Sequence, residues 1–330
     1  MADRDSLATR QLPAMTLSNG SSSSKTAPPP ALPSHLTASE RAQARFQVKG
    51  TAIGTSHITT QFISTPHADY QPHAAPYQTQ EVTVTGGAGT LALSAIRALL
   101  EHGLQRVAIF DLENTLKASG PSLQALRDDF PDTKLITHAV DVTNAEVVED
   151  AVAATVESFG SIDILLCFAG IVGCVHAMDM SPDQWRSTLG VNTTGSFLCA
   201  QAVAKRMAAQ DTGGSIMLTA SISGHRVNYP QPQVAYNVSK AAVIAMKSSL
   251  AAEWAVHGIR VNTVSPGYMD TILNEGPGLE EARNSWANRN PFGRMGAVGE
   301  LDGAIVLLCS RAGSYINGAD IVIDGGGVVF

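Results

Sequence analysis

The stretch EVTVTGGAGTLALSAIRALLEHGLQRVAIFD, residues 81–111, carries the pattern that decides the fold. Glu81 to Thr85 is a short β-rich run that stops at Gly86 and Gly87. Leu91, Ala95, Ile96 and Leu99 then recur at helical spacing until Gly103 ends the helix. Arg106 to Asp111 is a second apolar run. The alternation continues outward. Helical spacing predicts helices over 122–130, 145–160, 183–210 and 234–258, and short apolar runs predict strands over 134–142, 162–170, 214–221, 259–267 and 319–326. These strands are apolar on both faces, the mark of a parallel sheet covered on both sides. The expected fold class is α/β, a doubly wound parallel sheet in a single domain.

Bulk properties narrow the function. The chain has 330 residues, 44% hydrophobic and only 15% charged, enough apolar material for a real core. A net charge of −7 argues against nucleic acid or an anionic membrane surface as partner. No apolar run reaches the ~18 residues of a membrane span. The first thirty residues lack a secretory h-region, and Asp3 and Asp5 fit poorly with an acid-poor presequence, so a cytoplasmic location is expected. Cys167, Cys174, Cys199 and Cys309 sit in apolar stretches with no CxxC pair and read as reduced core thiols. Residues 1–44 are Ser-rich and then Pro-rich, and read as a disordered tail before a Rossmann-type domain spanning 45–330. Residues 54–80 have no helical or alternating period and read as an irregular inserted loop. His57, His67 and His73 in that loop match no compact ligand spacing, so no metal site is expected.

The turn after the first strand, Thr85-Gly86-Gly87-Ala88-Gly89-Thr90-Leu91, suits backbone N–H groups approaching a pyrophosphate at a helix N-terminus. Asp111 ends the next strand, twenty-five residues after Gly86, where a carboxylate holds the ribose hydroxyls of a bound dinucleotide. That carboxylate would repel a 2′-phosphate, and the turn has no Arg or Lys to attract one, so NAD is favoured over NADP. The other reading of Asp111 is a helix N-cap.

A second stretch, SIMLTASISGHRVNYPQPQVAYNVSKAAV at 215–243, carries the chemistry. Tyr236 and Lys240 are four apart, on one helix face. A phenol titrates near ~10 and is a poor acid or base at neutral pH. A Lys ammonium one turn away favours the phenolate. A serine at the preceding strand end would hydrogen-bond the reacting oxygen.

From about residue 81 onward the chain resembles the short-chain dehydrogenase/reductase family. The resemblance rests on TGGAG, Asp111, DV at 141–142, AG at 169–170, Asn192, Ser221, YNVSK, SPGYMDT and DGG. It implies a catalytic set of Asn192, Ser221, Tyr236 and Lys240, with Asn192 helping to hold a water that relays protons through Lys240. It implies cofactor contacts from Gly86, Gly89, Thr90, Leu91, Asp111, Asp141, Val142, Ala169, Gly170, Tyr236, Lys240, Pro266, Gly267, Met269 and Thr271. Asp141 would meet the adenine and Thr271 the nicotinamide carboxamide. Within the family, NYPQPQVAYNVSK and NPFGRMG look most like fungal polyol dehydrogenases and related ketose reductases, which implies a polyol or ketose substrate and a homotetramer. Ser223, His225 and Asn228 in the loop before Tyr236 would meet a hydroxylated substrate, and Gln231 offers a further donor and acceptor.

Three positions depart from the family pattern. Thr90 replaces a usual glycine. Phe168 replaces a usual Asn, so the strand edge there must be satisfied otherwise. The Ser221-to-Tyr236 spacing is fifteen, two longer than usual, which leaves Ser223 as the alternative serine. The chain also approaches its first strand twice. VKGTAI at 48–53 reads as the natural start, and removing Gly54 to Thr83, thirty residues, joins it to VTGG. The segment reads as a retained intron translated in frame, with a genuine chain-specific loop as the alternative.

Overall fold

The computed structural model describes residues 80–271, 274 and 279–329. The expected tail at 1–44, the loop at 54–79 with its three histidines, and the first approach at 48–53 lie outside the described residues.

Seven strands form one all-parallel sheet in the order β3-β2-β1-β4-β5-β6-β7. They are β1 Glu81–Thr85, β2 Arg106–Asp111, β3 Lys134–Ala139, β4 Ile164–Cys167, β5 Gly214–Thr219, β6 Ile259–Pro266 and β7 Asp320–Ile323. The helices are α1 Thr90–Glu101, α2 Glu113–Ala118, α3 Gly120–Asp129, α4 Ala145–Phe159, α5 Pro182–Leu189, α6 Ser196–Gln210, α7 Val234–Glu253, α8 Glu280–Asn288 and α9 Asp302–Cys309. The winding reverses between β1 and β4, so a crevice opens beyond their carboxyl ends.

The strands are apolar on both faces because each face has its own core. In β4, Ile164 and Leu166 join one cluster with Ile96, Leu99 and Ile305. Leu165 and Cys167 join the other, with Val152, Val203 and Met207. The period-two alternation of a strand sends neighbours to opposite sides.

The helix predicted over 183–210 is interrupted. Between α5 and α6 the backbone makes a π turn, Gly190–Gly195. The widened turn carries Asn192, which is fully buried. The strand predicted over 162–170 ends at Cys167. Sequence reasoning missed α2, α8 and α9. The α9 sequence DGAIVLLC is apolar nearly all round, α8 buries Trp286 alone, and α2 buries no residue. None of the three has an apolar stripe to detect.

β1 buries polar groups. All five residues are buried between β2 and β4, and they include Glu81 and Thr83. Glu81 pairs with Arg106 at 2.7 Å, and its backbone N–H donates to Asp163 Oδ2 at 3.1 Å. Burial pushes the Glu81 carboxyl up to about 7 and Asp163 up to about 6, against the opposing pull of Arg106. Gln80 Oε1, Glu81 Oε2 and Thr83 Oγ1 are buried with no hydrogen-bond partner.

Candidate active site

The site lies where β5 ends and α7 begins. Past Thr219 the chain runs extended through Ser221, then makes one 3₁₀ turn, Ile222–Gly224. Ser221 Oγ caps that turn by accepting from Ser223 N at 3.1 Å. It donates to Ser223 Oγ at 3.0 Å and stands against the Tyr236 phenol. Of the two candidate serines, Ser221 is the one against Tyr236. Ser223 stands one bond further away and donates to Asn228 Oδ1 at 2.7 Å.

Tyr236 and Lys240 face the same way from the first turns of α7. Lys240 is 4% exposed, and its Nζ donates to the Thr219 carbonyl at 2.7 Å. Nζ lies 5.6 Å from the centre of the Tyr236 ring. Burial lowers the Lys240 ammonium to about 8. Burial raises the Tyr236 phenol, and Ser221 against it pulls the other way. The sequence expectation gave Lys240 the leading influence on Tyr236. In the structure burial dominates both groups, with the ammonium held on a backbone carbonyl beside the ring.

Asn192 answers the question raised by Phe168. Its Oδ1 accepts from Ile171 N at 2.8 Å and its Nδ2 donates to Ile171 O at 2.9 Å. Nδ2 also donates to Ser239 Oγ at 2.9 Å. The edge beyond β4, which an Asn at 168 would otherwise help to hold, is clasped from the π turn. Phe168 itself donates its N–H to Thr85 O at 2.8 Å and packs on the first core cluster. Gly170 is tightly placed: a Cβ there would stand 3.3 Å from Asn192 Oδ1 and 3.7 Å from Lys240 Nζ.

The glycine turn sits at the crevice. Gly86 has φ +63°, and a Cβ on it would meet Ala169 N at 2.5 Å, so only glycine fits between β1 and the segment after β4. Thr90 opens α1 and is exposed, so it leaves the turn intact. The α1 N-terminus has no side-chain cap and no acidic residue in its first turn. Such an end favours an anion. Asp111 Oδ2 accepts from Ala88 N at 3.0 Å and Oδ1 from Leu112 N at 2.8 Å, which ties the end of β2 to the glycine turn. Asp141 is exposed and accepts from Thr143 N and Oγ1, and Val142 is buried against Gly195. These residues fit a nicotinamide dinucleotide laid across the carboxyl edge of the sheet.

A cavity of about 240 Å³ opens beside Tyr236. Leu91, Pro266, Gly267, Met269 and Thr271 line it, together with Ser221, Ser223 and Asn228. His225 does not. Its Nε2 lies 2.7 Å from Asp320 Oδ2 and 3.3 Å from Ser265 Oγ, so it binds the first residue of β7 instead of facing a substrate. Sequence reasoning missed Cys174, Gln233, Tyr268 and Trp286 in the cavity wall. The signal for Trp286 was a lone aromatic in the polar run EEARNSWAN. Cys174 is exposed, unlike the three buried thiols. Among the described residues no group of three His, Cys, Asp or Glu is placed to hold a metal, and no helix is long and apolar enough to cross a membrane.

Comparison with known proteins extends the picture. Residues 87–327 match the family described as Enoyl-(Acyl carrier protein) reductase. The chain is 37% identical over 247 residues to an NADP-dependent mannitol dehydrogenase of Hypocrea jecorina, covering 74% of this chain and 91% of that protein. It is 37% identical over 257 residues to a ribulose-forming D-arabinitol 2-dehydrogenase of Candida tropicalis, with the same coverage. The crystal structure of a short-chain type dehydrogenase/reductase from Mycobacterium marinum superposes with a TM-score of 0.68 at 35% identity, covering 76% of this chain and 96% of that one.

Proposed function

We propose that this chain, which belongs to the short-chain dehydrogenase/reductase family, is an oxidoreductase that interconverts a sugar alcohol and a ketose with NAD as the preferred partner. The observation that carries the reading is a half-buried Tyr236 with Ser221 against its phenol and Lys240 beside its ring, at a cavity whose wall presents Ser221, Ser223, Asn228, Gln231 and Gln233 among apolar side chains. The relatives named as mannitol and D-arabinitol dehydrogenases support the substrate class.

The nicotinamide, when bound, supplies or accepts the hydride. In the oxidising direction Tyr236 takes the hydroxyl proton from the carbinol oxygen, and in reduction it returns that proton to the carbonyl oxygen. Ser221 holds the same oxygen. Lys240, while charged, stabilises the phenolate. Asn192 acts by holding Ile171, and with it the strand edge beside Lys240. Gly86, Gly89, Thr90 and Leu91 receive the pyrophosphate. Asp111 faces the adenosine ribose, Asp141 and Val142 the adenine end, and Ala169, Gly170, Pro266, Gly267, Met269 and Thr271 the nicotinamide half.

The NAD preference rests on the Asp111 carboxylate, which sits at the glycine turn and repels a 2′-phosphate. The mannitol dehydrogenase relative is named NADP-dependent, so the cofactor is the point on which this chain would differ from it. A cytoplasmic homotetramer accompanies the reading. The test is a panel of polyols and ketoses assayed with both cofactors. At least tenfold preference for NAD(H) is expected, about 1.4 kcal/mol, shrinking in Asp111→Ala. Equal or better turnover with NADP(H) would overturn the preference, and NADH binding without turnover of any polyol or ketose would favour a non-catalytic dinucleotide sensor.

A further inference from the structure

One side of the cavity is a continuous line of hydrogen bonds in which each group donates to the next. Ser221 Oγ donates to Ser223 Oγ at 3.0 Å, and Ser223 Oγ to Asn228 Oδ1 at 2.7 Å. Asn228 Nδ2 donates to Gln233 Oε1, and Gln233 Nε2 to Cys174 Sγ at 3.2 Å. All five side chains line the cavity. The line starts on the hydroxyl that touches Tyr236 and ends on a thiol. A thiol sulfur is a weak acceptor. The amide N–H of a side chain only 7% exposed therefore rests on the poorest partner in the line. A hydroxyl or carbonyl oxygen entering the cavity would be a better one.

Gln233 is also well placed relative to the reacting centre. Its backbone carbonyl accepts from Asn237 N at 2.9 Å, so it belongs to the same helix start that sets Tyr236. Its Oε1 is anchored by Asn228, leaving the Nε2 end to exchange partners. Across the cavity Tyr268 and Trp286 stack at 4.3 Å and both donate to Gln231 Oε1, so Gln231 has only its N–H groups left to offer.

We propose that Gln233 is a specificity-determining residue: its Nε2 leaves Cys174 and donates to a substrate hydroxyl next to the reacting carbon. The site would thereby select ketoses and polyols, with oxygen on the neighbouring carbon, over simple ketones and alcohols. This rests on the polyol–ketose reading above. A site built to hydrogen-bond a substrate hydroxyl rejects the analogue lacking it, because a buried donor is left poorly paired.

The test compares kcat/KM for D-ribulose and for 2-pentanone in the intact enzyme and in Gln233→Met, which keeps the volume and removes the donor. The ketose-to-ketone ratio should fall at least tenfold, through the KM for the ketose. An unchanged ratio, or an equal loss on both substrates, would overturn the proposal. If Gln233→Met does not fold, Cys174→Ser decides, since a hydroxyl competes better for Nε2 and should raise the ketose KM at least threefold; an unchanged KM would overturn the proposal. A parent enzyme inactive on every ketose and polyol would overturn the functional reading and this inference together. Activity on ketoses with no effect of either substitution would overturn this inference alone.

Discussion

Burial drives Tyr236 up and Lys240 down, away from each other on the pH scale. A phenol that must exchange a proton near neutral pH needs its companions. Tyr236→Phe should lower kcat at least a hundredfold, within the range for loss of an acid–base group, while NADH still binds by fluorescence. Residual turnover above a tenth of the parent would contradict the assignment. Ser221→Ala should cost more turnover than Ser223→Ala, since only Ser221 touches the phenol. The pH profile follows from Lys240. Carbonyl reduction uses the charged ammonium, so kcat/KM should fall as pH rises above about 8, where Lys240 loses its proton. In Lys240→Arg, whose cation does not titrate, the falling limb should move to higher pH; a limb in the same place would assign it to another group. The Tyr-Lys pair was legible because four residues is one helical turn. The Asn192–Ile171 clasp was not, because it joins positions twenty-one residues apart through a π turn that no period announces.

At the scale of elements, β1 carries polar groups without full partners. It puts a carboxylate and a hydroxyl beside β4, whose residues are Ile164, Leu165, Leu166 and Cys167. Burial raises the Glu81 carboxyl to about 7 from its ordinary value of 4.5. Its contribution to stability is complete below pH 4.5 and is lost as pH rises through 7. Thermal melts should therefore show Glu81→Gln gaining on the parent between pH 5 and pH 8. A constant difference across that range would place the titration elsewhere. Thr83→Val should raise stability by about 1 kcal/mol, because it removes a buried hydroxyl without a partner; a loss in chemical denaturation would show that the hydroxyl is used. The strand–helix alternation was readable throughout the central sheet, where runs are apolar and bounded by glycines. It failed for α2, α8 and α9, whose faces carry no contrast between buried and exposed sides.

For the whole molecule, the twofold approach to β1 bears on a strand that buries Glu81 and Thr83. Deleting residues 54–83 joins Ile53 to Val84 and brings Thr51, Ala52 and Ile53 to the places of Glu81, Val82 and Thr83. An aliphatic side chain then replaces the unpartnered threonine. The shortened chain should melt no lower than the parent and keep its activity per molecule. Loss of folding would make the segment a genuine structural element. Light scattering should give a tetramer, and a clean monomer at micromolar concentration would contradict that assembly. The proposed reaction moves a hydride between the carbinol carbon of a polyol and a nicotinamide, with Tyr236 carrying the proton. Its most direct test is oxidation of D-arabinitol and mannitol deuterated at their carbinol carbons, followed by mass spectrometry of the reduced nicotinamide. Deuterium should appear on the nicotinamide with the parent enzyme, and transfer should be at least a hundredfold slower with Tyr236→Phe. Bound NADH with no deuterium transfer from either polyol, or transfer undiminished in Tyr236→Phe, would contradict the proposed reaction.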